Sequence, residues 1–258
     1  MKIKMKTVRI VTALVALSIT LPASAALFVS GDVNILGSKL VNISNLPANQ
    51  RFINNIAGTN VLIQHSSGIF DNTVEANNVA KYLTTQSIIN TVLTSGAQLT
   101  SQDFEGRTLF IGLGSDDAYS ANEMLLMQSF LNSGGSILLT GDNEIFFKNN
   151  GYINEALKGL NSSMRIVTDS IDTNYHTANV LTANPFTAGT TGLQYGSTSR
   201  VTGGNGLYST ATGNQTFVAF ERSVAAAVPE PTTWAMGVIG FGVVGASLRR
   251  RPQQLSLV

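Results

Sequence analysis

The 258-residue sequence contains no cysteine, and this absence excludes several functions at once. Without a thiol, the chain can form no disulfide, hold no metal through thiolate ligands and use no cysteine nucleophile. Its stability must therefore come from packing. The composition permits this, because 43% of the residues are hydrophobic and only 12% are charged, which is typical of a folded domain and not of a disordered chain.

Charged residues are few, and seven of the sixteen lysines and arginines lie at the two ends of the chain. The formal net charge is +1, but Arg249, Arg250 and Arg251 and a basic N-terminal stretch account for much of the positive charge. Between Ala26 and Val228, nine basic and fourteen acidic residues give a net charge of −5. Nucleic-acid binding requires a clustered basic face. We therefore expect no nucleic-acid partner for the body of the protein.

Two common catalytic or cofactor-binding motifs are also missing. The segment Gly112-Leu113-Gly114-Ser115-Asp116 is not the Gly-x-Ser-x-Gly turn that holds a hydrolase serine in a strained and exposed position. The same glycines lack the third glycine and the acidic ribose partner of a dinucleotide-binding loop. No repeat of solenoid period is present. The sequence predicts no bound cofactor.

Residues 1–25 have the organisation of a secretory signal peptide. A basic stretch is followed by an apolar run from Ile10 to Leu21 and by the small residues Ala23, Ser24 and Ala25. The alternative, an N-terminal membrane helix, requires a longer apolar run than this one. We therefore expect cleavage after Ala25 by a signal peptidase, following transport by the secretion machinery.

The C-terminal end combines three elements in a fixed order. Pro229-Glu230-Pro231 precedes an uncharged segment, residues 232–248, which is followed by Arg249, Arg250 and Arg251. As a helix, this segment is about 26 Å long, close to the roughly 30 Å of a bilayer core. The arginines favour the cytoplasmic side. The sequence predicts a transmembrane helix over 232–248. The three arginines are expected to act as a positive stop that halts transfer through the membrane, which leaves residues 252–258 as a cytoplasmic tail.

This arrangement resembles the PEP-CTERM sorting signal, which we assign to residues 225–251. The resemblance implies that an exosortase, a membrane-embedded enzyme of Gram-negative bacteria that make exopolysaccharide, recognises Pro229, Glu230 and Pro231. It also implies passage through the inner membrane before release to the outer surface or the extracellular matrix. The alternative is a plain C-terminal membrane anchor, in which the prolines only break the chain before a helix.

Between the two ends, residues 26–224 alternate short apolar runs with segments of helical period, which is typical of an α/β domain. The pattern predicts strands over 60–65, 108–113, 136–140 and 164–167. It predicts helices over 73–93 and 144–160, and a further helix that starts at a capping box formed by Ser120 and Glu123. Strands joined by helices in this order are expected to be parallel. The glycine-rich segment 193–220 is expected to form strands and hairpins.

The layout of residues 110–142 resembles the class I glutamine amidotransferase-like fold. The predicted architecture is therefore a layered, flavodoxin-like or amidotransferase-like, mostly parallel sheet with a C-terminal β-rich segment. In the enzymes of that class, the strand matching 136–140 leads to a turn that carries a cysteine nucleophile. Here the turn is Gly141-Asp142-Asn143. Amidotransferase activity therefore does not carry over.

Polar side chains follow several predicted strands, and ligands of open α/β sheets collect at such strand ends. The clusters are His65-Ser66-Ser67, Ser115-Asp116-Asp117 and Gly141-Asp142-Asn143. Their oxygens suit a hard cation such as calcium, with Asp116, Asp117 and Asp142 as candidate ligands. The same residue types also cap helices and form turns, and this second interpretation is the simpler one.

Two further combinations of residues are candidates for catalysis or metal binding. Ser115 near His65 or His176 would resemble a hydrolase, since a serine nucleophile needs a neighbouring base. Asp169, Asp172 and His176 are the other candidate cluster, and the ordinary polarity of a loop explains them equally well.

The sequence therefore supports two hypotheses about function. The first is a non-catalytic envelope or extracellular-matrix protein, sorted by an exosortase, that binds polysaccharide or protein. The second is an envelope hydrolase or metal-dependent enzyme with its site at the carboxyl ends of the strands. The distances between the histidines, Ser115 and the carboxylates discriminate between them.

Overall fold

A computed structural model of the protein describes residues 25–38, 42–66, 68, 71–94, 96–172 and 174–222. The predicted signal peptide, apart from Ala25, and the whole predicted sorting tail lie outside these residues, as does Ser67 of the first polar cluster. No helix in the described part of the chain is long and apolar enough to span a bilayer.

Four α-helices and twelve strands are present in the described residues. The helices are α1 Pro47–Ala57, α2 Thr73–Thr85, α3 Ala121–Asn132 and α4 Phe147–Gly159. Short 3-10 helices occupy Val33–Leu36, Ile43–Asn45, Gln102–Phe104, Glu144–Phe146 and Pro185–Thr187. The first six strands are β1 Ala26–Ser30, β2 Asn60–His65, β3 Ile89–Leu93, β4 Leu109–Leu113, β5 Ser136–Thr140 and β6 Arg165–Ile171. The remaining six are β7 His176–Thr177, β8 Asn179–Val180, β9 Gln194–Tyr195, β10 Thr198–Thr202, β11 Asn205–Ser209 and β12 Thr216–Arg222.

An eight-stranded sheet with the order β3-β2-β4-β5-β1-β12-β11-β8 forms the centre of the domain. The five strands from β3 to β1 are parallel to one another. β12, β11 and β8 then extend the sheet in antiparallel fashion. Two small antiparallel pairs, β6 with β10 and β7 with β9, complete the C-terminal part. The fold is thus a mixed α/β domain with a mostly parallel central sheet, as the sequence predicts in coarse terms.

Each face of the sheet carries its own hydrophobic core, because side chains alternate along a strand. In β4, Leu109 and Ile111 face one core, whereas Phe110 faces the other. The first core includes side chains from α1 and α2, and the second includes side chains from α3 and α4. The parallel strands are buried on both faces, which explains their continuous apolar runs.

Most of the predicted elements are confirmed. β2, β5 and the parallel pairing of β4 with β5 match the prediction. The capping box at the start of α3 is present, since Glu123 N donates to Ser120 Oγ and the Glu123 side chain accepts from Ser120 N. The strand predicted over 164–167 is longer and forms β6. The strands and hairpins expected over 193–220 are β9 to β12.

The prediction of one helix over 73–93 is wrong. α2 ends at Thr85, a turn follows, and Ile89–Leu93 forms the edge strand β3 beside β2. Ser87 in this turn has a φ of 60°, outside the helical range, which ends the helix there. The apolar and β-branched residues that follow suit the parallel sheet, and pairing with β2 overrides the helical period of the segment.

Candidate functional site

At two places in the described sheet, neighbouring strands lead to α-helices on opposite faces. The chain leaves β2 towards α2 on the first face, whereas it leaves β4 towards α3 on the second. β5 leads to α4 on the second face, and the neighbouring β1 leads to α1 on the first. Such divergence opens a crevice at the carboxyl ends of the strands, where open α/β sheets bind ligands.

The crevice between β2 and β4, here named the open cleft, is a cavity of about 210 Å³. Its walls come from the ends of both strands, from the loop before Leu99 and from the start of α3. Most of the lining side chains can form hydrogen bonds, and no lysine or arginine is among them. They include Gln64, His65, Ser66, Gln98, Ser115, Asp116, Asp117, Tyr119, Ser120 and Glu123.

Asp116 connects the two loops that border the open cleft. Its Oδ1 accepts from Ser66 Oγ at 2.6 Å, and its Oδ2 accepts from Gly68 N at 2.8 Å. Both carboxylate oxygens therefore hold the loop after β2 against the loop after β4. These contacts reach a loop about 50 residues away along the chain, so Asp116 joins two loops and does not close a local turn or cap a helix.

The Ser115 hydroxyl is bonded to a backbone oxygen and not to a histidine. Its Oγ donates to the backbone oxygen of Asp117, and His65 Nδ1 lies 2.9 Å from the backbone oxygen of Ser66. Within the described residues, no hydrogen bond joins Ser115 to His65 or to His176. The hydrolase interpretation requires such a contact, and the geometry gives it no support.

The crevice between β5 and β1, here named the closed crevice, holds buried carboxyl groups. Asp32 follows β1 and has no exposed surface. Its carboxylate accepts from Asn34 N at 2.8 Å, from Asn34 Nδ2 at 2.7 Å and from Gly196 N at 2.6 Å. Burial outweighs these hydrogen bonds and raises the pKa of Asp32 to about 6.

Asp142, which follows β5, lies in the same crevice and is 4% exposed. Burial raises the pKa of Asp142 well above its usual value, and the charges of Asp32 and Glu75 raise it further. Tyr175 is partly exposed and lies within electrostatic range of these carboxyls. Burial raises the pKa of the Tyr175 hydroxyl, which hydrogen-bonds to Ser38 Oγ and also lies in the field of the carboxyls.

Contacts from α4 and β10 seal the closed crevice. Asn150 of α4 accepts from Asp142 N at 2.9 Å and donates to the backbone oxygen of Asp142 at 2.6 Å. Ser199 Oγ of β10 contacts the same oxygen at 2.7 Å, and Ser199 N donates to the backbone oxygen of Gly31 at 2.9 Å. A side chain at Gly31 would meet the backbone oxygen of Ser199 at 1.9 Å, so this close approach requires glycine.

Only part of the sequence cluster of Asp169, Asp172 and His176 comes together: Asp172 and His176 interact electrostatically and both contact Tyr195, whereas Asp169 pairs with Arg200. Asp169 accepts from Arg200 N at 2.8 Å and forms an ion pair with Arg200 Nε at 3.5 Å. Asp172 accepts from the hydroxyl groups of Tyr195 and Thr212. These contacts hold the small C-terminal sheets together and serve a structural purpose.

Metal-binding geometry is absent from the part of the chain that the structure describes. No group of three or more His, Asp or Glu side chains there is placed to hold a metal ion. The candidates Asp116 and Asp142 belong to different crevices, with Asp116 engaged by loop atoms and Asp142 facing Asp32 and Glu75. Asp32 and Glu75 were not predicted from the sequence, although Asp32 follows the apolar run Ala26–Val29 by only three residues.

The family model of the PEP-CTERM protein-sorting motif matches residues 227–251. The tail carries a PEP-CTERM sorting motif. The match indicates an exported protein that an exosortase sorts through the cell envelope. It covers the Pro229-Glu230-Pro231 element, the uncharged segment and the arginines that the sequence singled out.

The remaining comparisons give little information about the function of the domain that precedes the tail. No curated protein matches the chain. Among solved structures, the mmIFT52 N-terminal domain is similar at 16% identity with a TM-score of 0.40, covering 58% of this chain and 72% of that one. A likeness this low transfers no function. The resemblance of the body to the amidotransferase-like fold remains a prediction.

Proposed function

We propose that this protein is a non-catalytic envelope or extracellular-matrix protein, exported by its signal peptide and released through its tail by an exosortase. The observation that carries the proposal is the PEP-CTERM motif at residues 227–251. Residues 1–25 would be removed by signal peptidase, and residues 26–224 would be the delivered domain. The membrane helix over 232–248 would hold the protein in the inner membrane until the tail is cut.

The sorting step is tested by pulse-chase labelling in a Gram-negative host with an active exosortase. The wild-type chain should shorten with time as the tail is lost. A variant with Glu230→Ala, Pro229→Ala and Pro231→Ala should keep its full tail, because the recognition element is missing. As a matched control, Glu221→Ala lies just upstream and should shorten normally. An intact wild-type tail in the active host, or normal shortening of the variant, would contradict the proposal.

We further propose that the delivered domain binds polysaccharide at the open cleft. Three features support this assignment: the divergence of β2 and β4, the hydrogen-bonding lining and the absence of lysine and arginine from that lining. Hydroxyl-rich neutral ligands suit such a surface, whereas phosphates and other anions require cationic or backbone donors. Asp117 and Gln98 are exposed at the cleft and are available to sugar hydroxyls.

Substitution at the cleft wall tests the binding site. Ala118 is exposed in the lining, so Ala118→Trp should fill the cleft and weaken binding of the host's neutral exopolysaccharide at least about tenfold, measured by calorimetry. Ala211→Trp places the same side chain on an exposed turn after β11 and should leave binding unchanged. Equal binding by both variants and the wild type would exclude the open cleft, and binding of a protein partner instead would overturn the polysaccharide assignment.

A further inference from the structure

The two edges of the eight-stranded sheet differ in length and regularity. At one edge lies β8, which is two residues long, and its neighbour β11 has an irregular register with β12. At the other edge lies β3, whose five residues pair with β2 in an unbroken parallel register. Among the described residues, no strand pairs with the outer side of β3. This edge is therefore long and regular enough to accept a further strand.

The β3 edge also lacks the residue types with which proteins protect a sheet edge. Charged side chains and proline prevent pairing between edges, but none occurs from Tyr82 to Gln102, a stretch that extends on both sides of β3. Every residue of β3 is at least partly accessible to water, and Ile89 is 65% exposed. An uncharged and accessible strand of this kind presents no electrostatic barrier to an identical strand.

The backbone groups of β3 alternate between its two sides. Ile89 N donates to the backbone oxygen of Thr59 at 3.1 Å, on the side of β2. Because successive residues of a strand direct their N–H and C=O groups to opposite sides, Asn90 and Val92 direct theirs away from β2. Two such residues, separated by Thr91, have the spacing that an antiparallel ladder needs for two hydrogen-bonded pairs related by a two-fold axis.

We propose that two copies of this protein join through β3, antiparallel about a two-fold axis at Thr91, so that their two sheets become one. Asn90 of each copy then exchanges both backbone hydrogen bonds with Val92 of the other. A two-fold axis at the edge of a sheet makes the facing strands antiparallel, as this pairing requires. The register centred on Thr91 overlaps all five residues of β3, whereas any other register leaves one end unpaired. Such pairing requires neither the export route nor ligand binding at the open cleft.

The same register brings apolar side chains together on one face of the joined sheet. Val92 packs against the first core and Leu93 against the second, so the side chains of Ile89, Thr91 and Leu93 lie on the face of the second core. Ile89 of each copy lies opposite Leu93 of the other, which removes the exposed Ile89 side chain from water. The two copies of Thr91 face each other, and a threonine pair is favourable across antiparallel strands.

Cysteine cross-linking of the full-length chain in detergent micelles tests this pairing, and because the chain has no cysteine, one substitution is sufficient. Facing residues of a pair that is not hydrogen-bonded have Cα atoms about 4.5 Å apart, within the range of a disulfide. On mild oxidation, Thr91→Cys should give at least about tenfold more disulfide-linked dimer than Thr94→Cys. Thr94 is more exposed than Thr91, but its two copies would lie about 20 Å apart in this register.

Opposite charges test the two-fold register without a covalent bond. Thr91→Lys and Thr91→Asp should each associate at least about tenfold more weakly than the wild type, because like charges would face each other across the axis. An equimolar mixture of the two variants should recover the association, with one copy of each in the dimer. Thr202→Lys, which places a charge at an exposed position of β10, should associate as the wild type does. Sedimentation measures association, and circular dichroism checks that each variant is folded.

Equal cross-linking of Thr91→Cys and Thr94→Cys, or a wild-type chain that stays monomeric, would overturn the proposal. Folded charge variants that associate as strongly as the wild type would also overturn it, because the interface would then lie elsewhere. If the mixture fails to recover the association, the two-fold register at Thr91 is wrong. Should a charge variant fail to fold, the two cysteine variants decide the question by themselves.

Discussion

The open cleft and the closed crevice both lie at the carboxyl ends of the parallel strands, yet they differ in accessibility and in the burial of their carboxylates. The open cleft is a cavity with a hydrogen-bonding lining, and its central carboxylate, Asp116, is bonded to two loop donors. The closed crevice instead surrounds Asp32 and Asp142, which are almost completely buried. Burial raises the pKa of both carboxyls.

The difference originates in what covers each crevice. Local loops after β2 and β4 border the open cleft and leave it accessible. The C-terminal β-rich part lies against the closed crevice. Gly196 N donates to Asp32, Ser199 Oγ bonds to the backbone oxygen of Asp142, and Tyr175 lies within electrostatic range of both carboxyls. The C-terminal β-rich part thus encloses one of the two crevices and leaves the other accessible.

The largest contrast is expected when the central carboxylates are removed. Asp32→Ala leaves the donors of Asn34 and Gly196 buried without their acceptor, and should lower the free energy of unfolding by about 3–5 kcal/mol. Asp116→Ala, the matched change at the open cleft, should cost about 1 kcal/mol, because its region can rehydrate. Urea denaturation of both variants measures the two costs. Equal costs would remove the distinction between the crevices.

A glycine pair tests the tight seal of the closed crevice. Gly31→Ala drives a methyl group against the backbone oxygen of Ser199 and should destabilise the domain by about 3 kcal/mol. Gly151→Ala, within α4, meets nothing within 4 Å and should stabilise it by about 0.5–1 kcal/mol. Thermal unfolding of both variants shows whether the first is destabilised and the second stabilised. A tolerated Gly31→Ala would show that β10 does not seal the crevice as described.

The raised pKa values of the closed crevice predict that stability falls as pH rises. A carboxyl with a raised folded-state pKa binds its proton more tightly in the native state, so its contribution is complete below pH 3.8 and is lost as pH rises through about 6. Between pH 4.5 and pH 8, the free energy of unfolding should decrease by about 1–3 kcal/mol.

Asp142→Asn should flatten this pH dependence. Asparagine keeps an oxygen for Asn143 N, which Asp142 Oδ1 accepts at 2.7 Å, and it removes one of the interacting charges. Denaturation midpoints measured at several pH values test both expectations. Stability that rises over the same range would contradict the assignment of the buried carboxyls.

The smallest effect is expected at the wall of the open cleft. Tyr119 lines the cleft, but its hydroxyl is buried near Gly112 and has no hydrogen-bond partner within the described residues. Tyr119→Phe should leave stability unchanged or raise it by up to about 1 kcal/mol. Tyr208→Phe should cost about 1 kcal/mol, because the buried Tyr208 hydroxyl bonds Thr190 Oγ1 at 2.8 Å. A larger loss at Tyr119 would indicate a partner for its hydroxyl.

Local sequence patterns predicted those strands and helix ends that depend on interactions between residues close together in the sequence. The apolar runs of β2, β4 and β5 and the capping box at Ser120 were recognisable because each depends on neighbouring residues. β3 was mistaken for helix because pairing with β2 outweighs local period. β1 and α1 were missed in the sequence. β1 pairs with β5 and β12, about 110 and 190 residues further along the chain, and no local pattern reports such partners.

The residues of the open cleft were predictable from the sequence, but the contacts between distant strands in the closed crevice were not. The sequence placed His65, Ser115 and Asp116 at strand ends, and the structure brings them to one cleft. It did not show that Asp142 faces Asp32 and Glu75, because those contacts depend on strand order across the sheet. The sorting tail was the most predictable feature, since its three elements are read by their order along the chain.

Intact-mass measurement of the protein recovered from outside the cells, combined with sequencing of both termini, tests export and release together. We expect a chain that starts at Ala26, lacks Arg249, Arg250 and Arg251, and is lighter than the 27.3 kDa of the full sequence. A protein that keeps the arginines and the residues before Ala25, in a host with active exosortase, would contradict it.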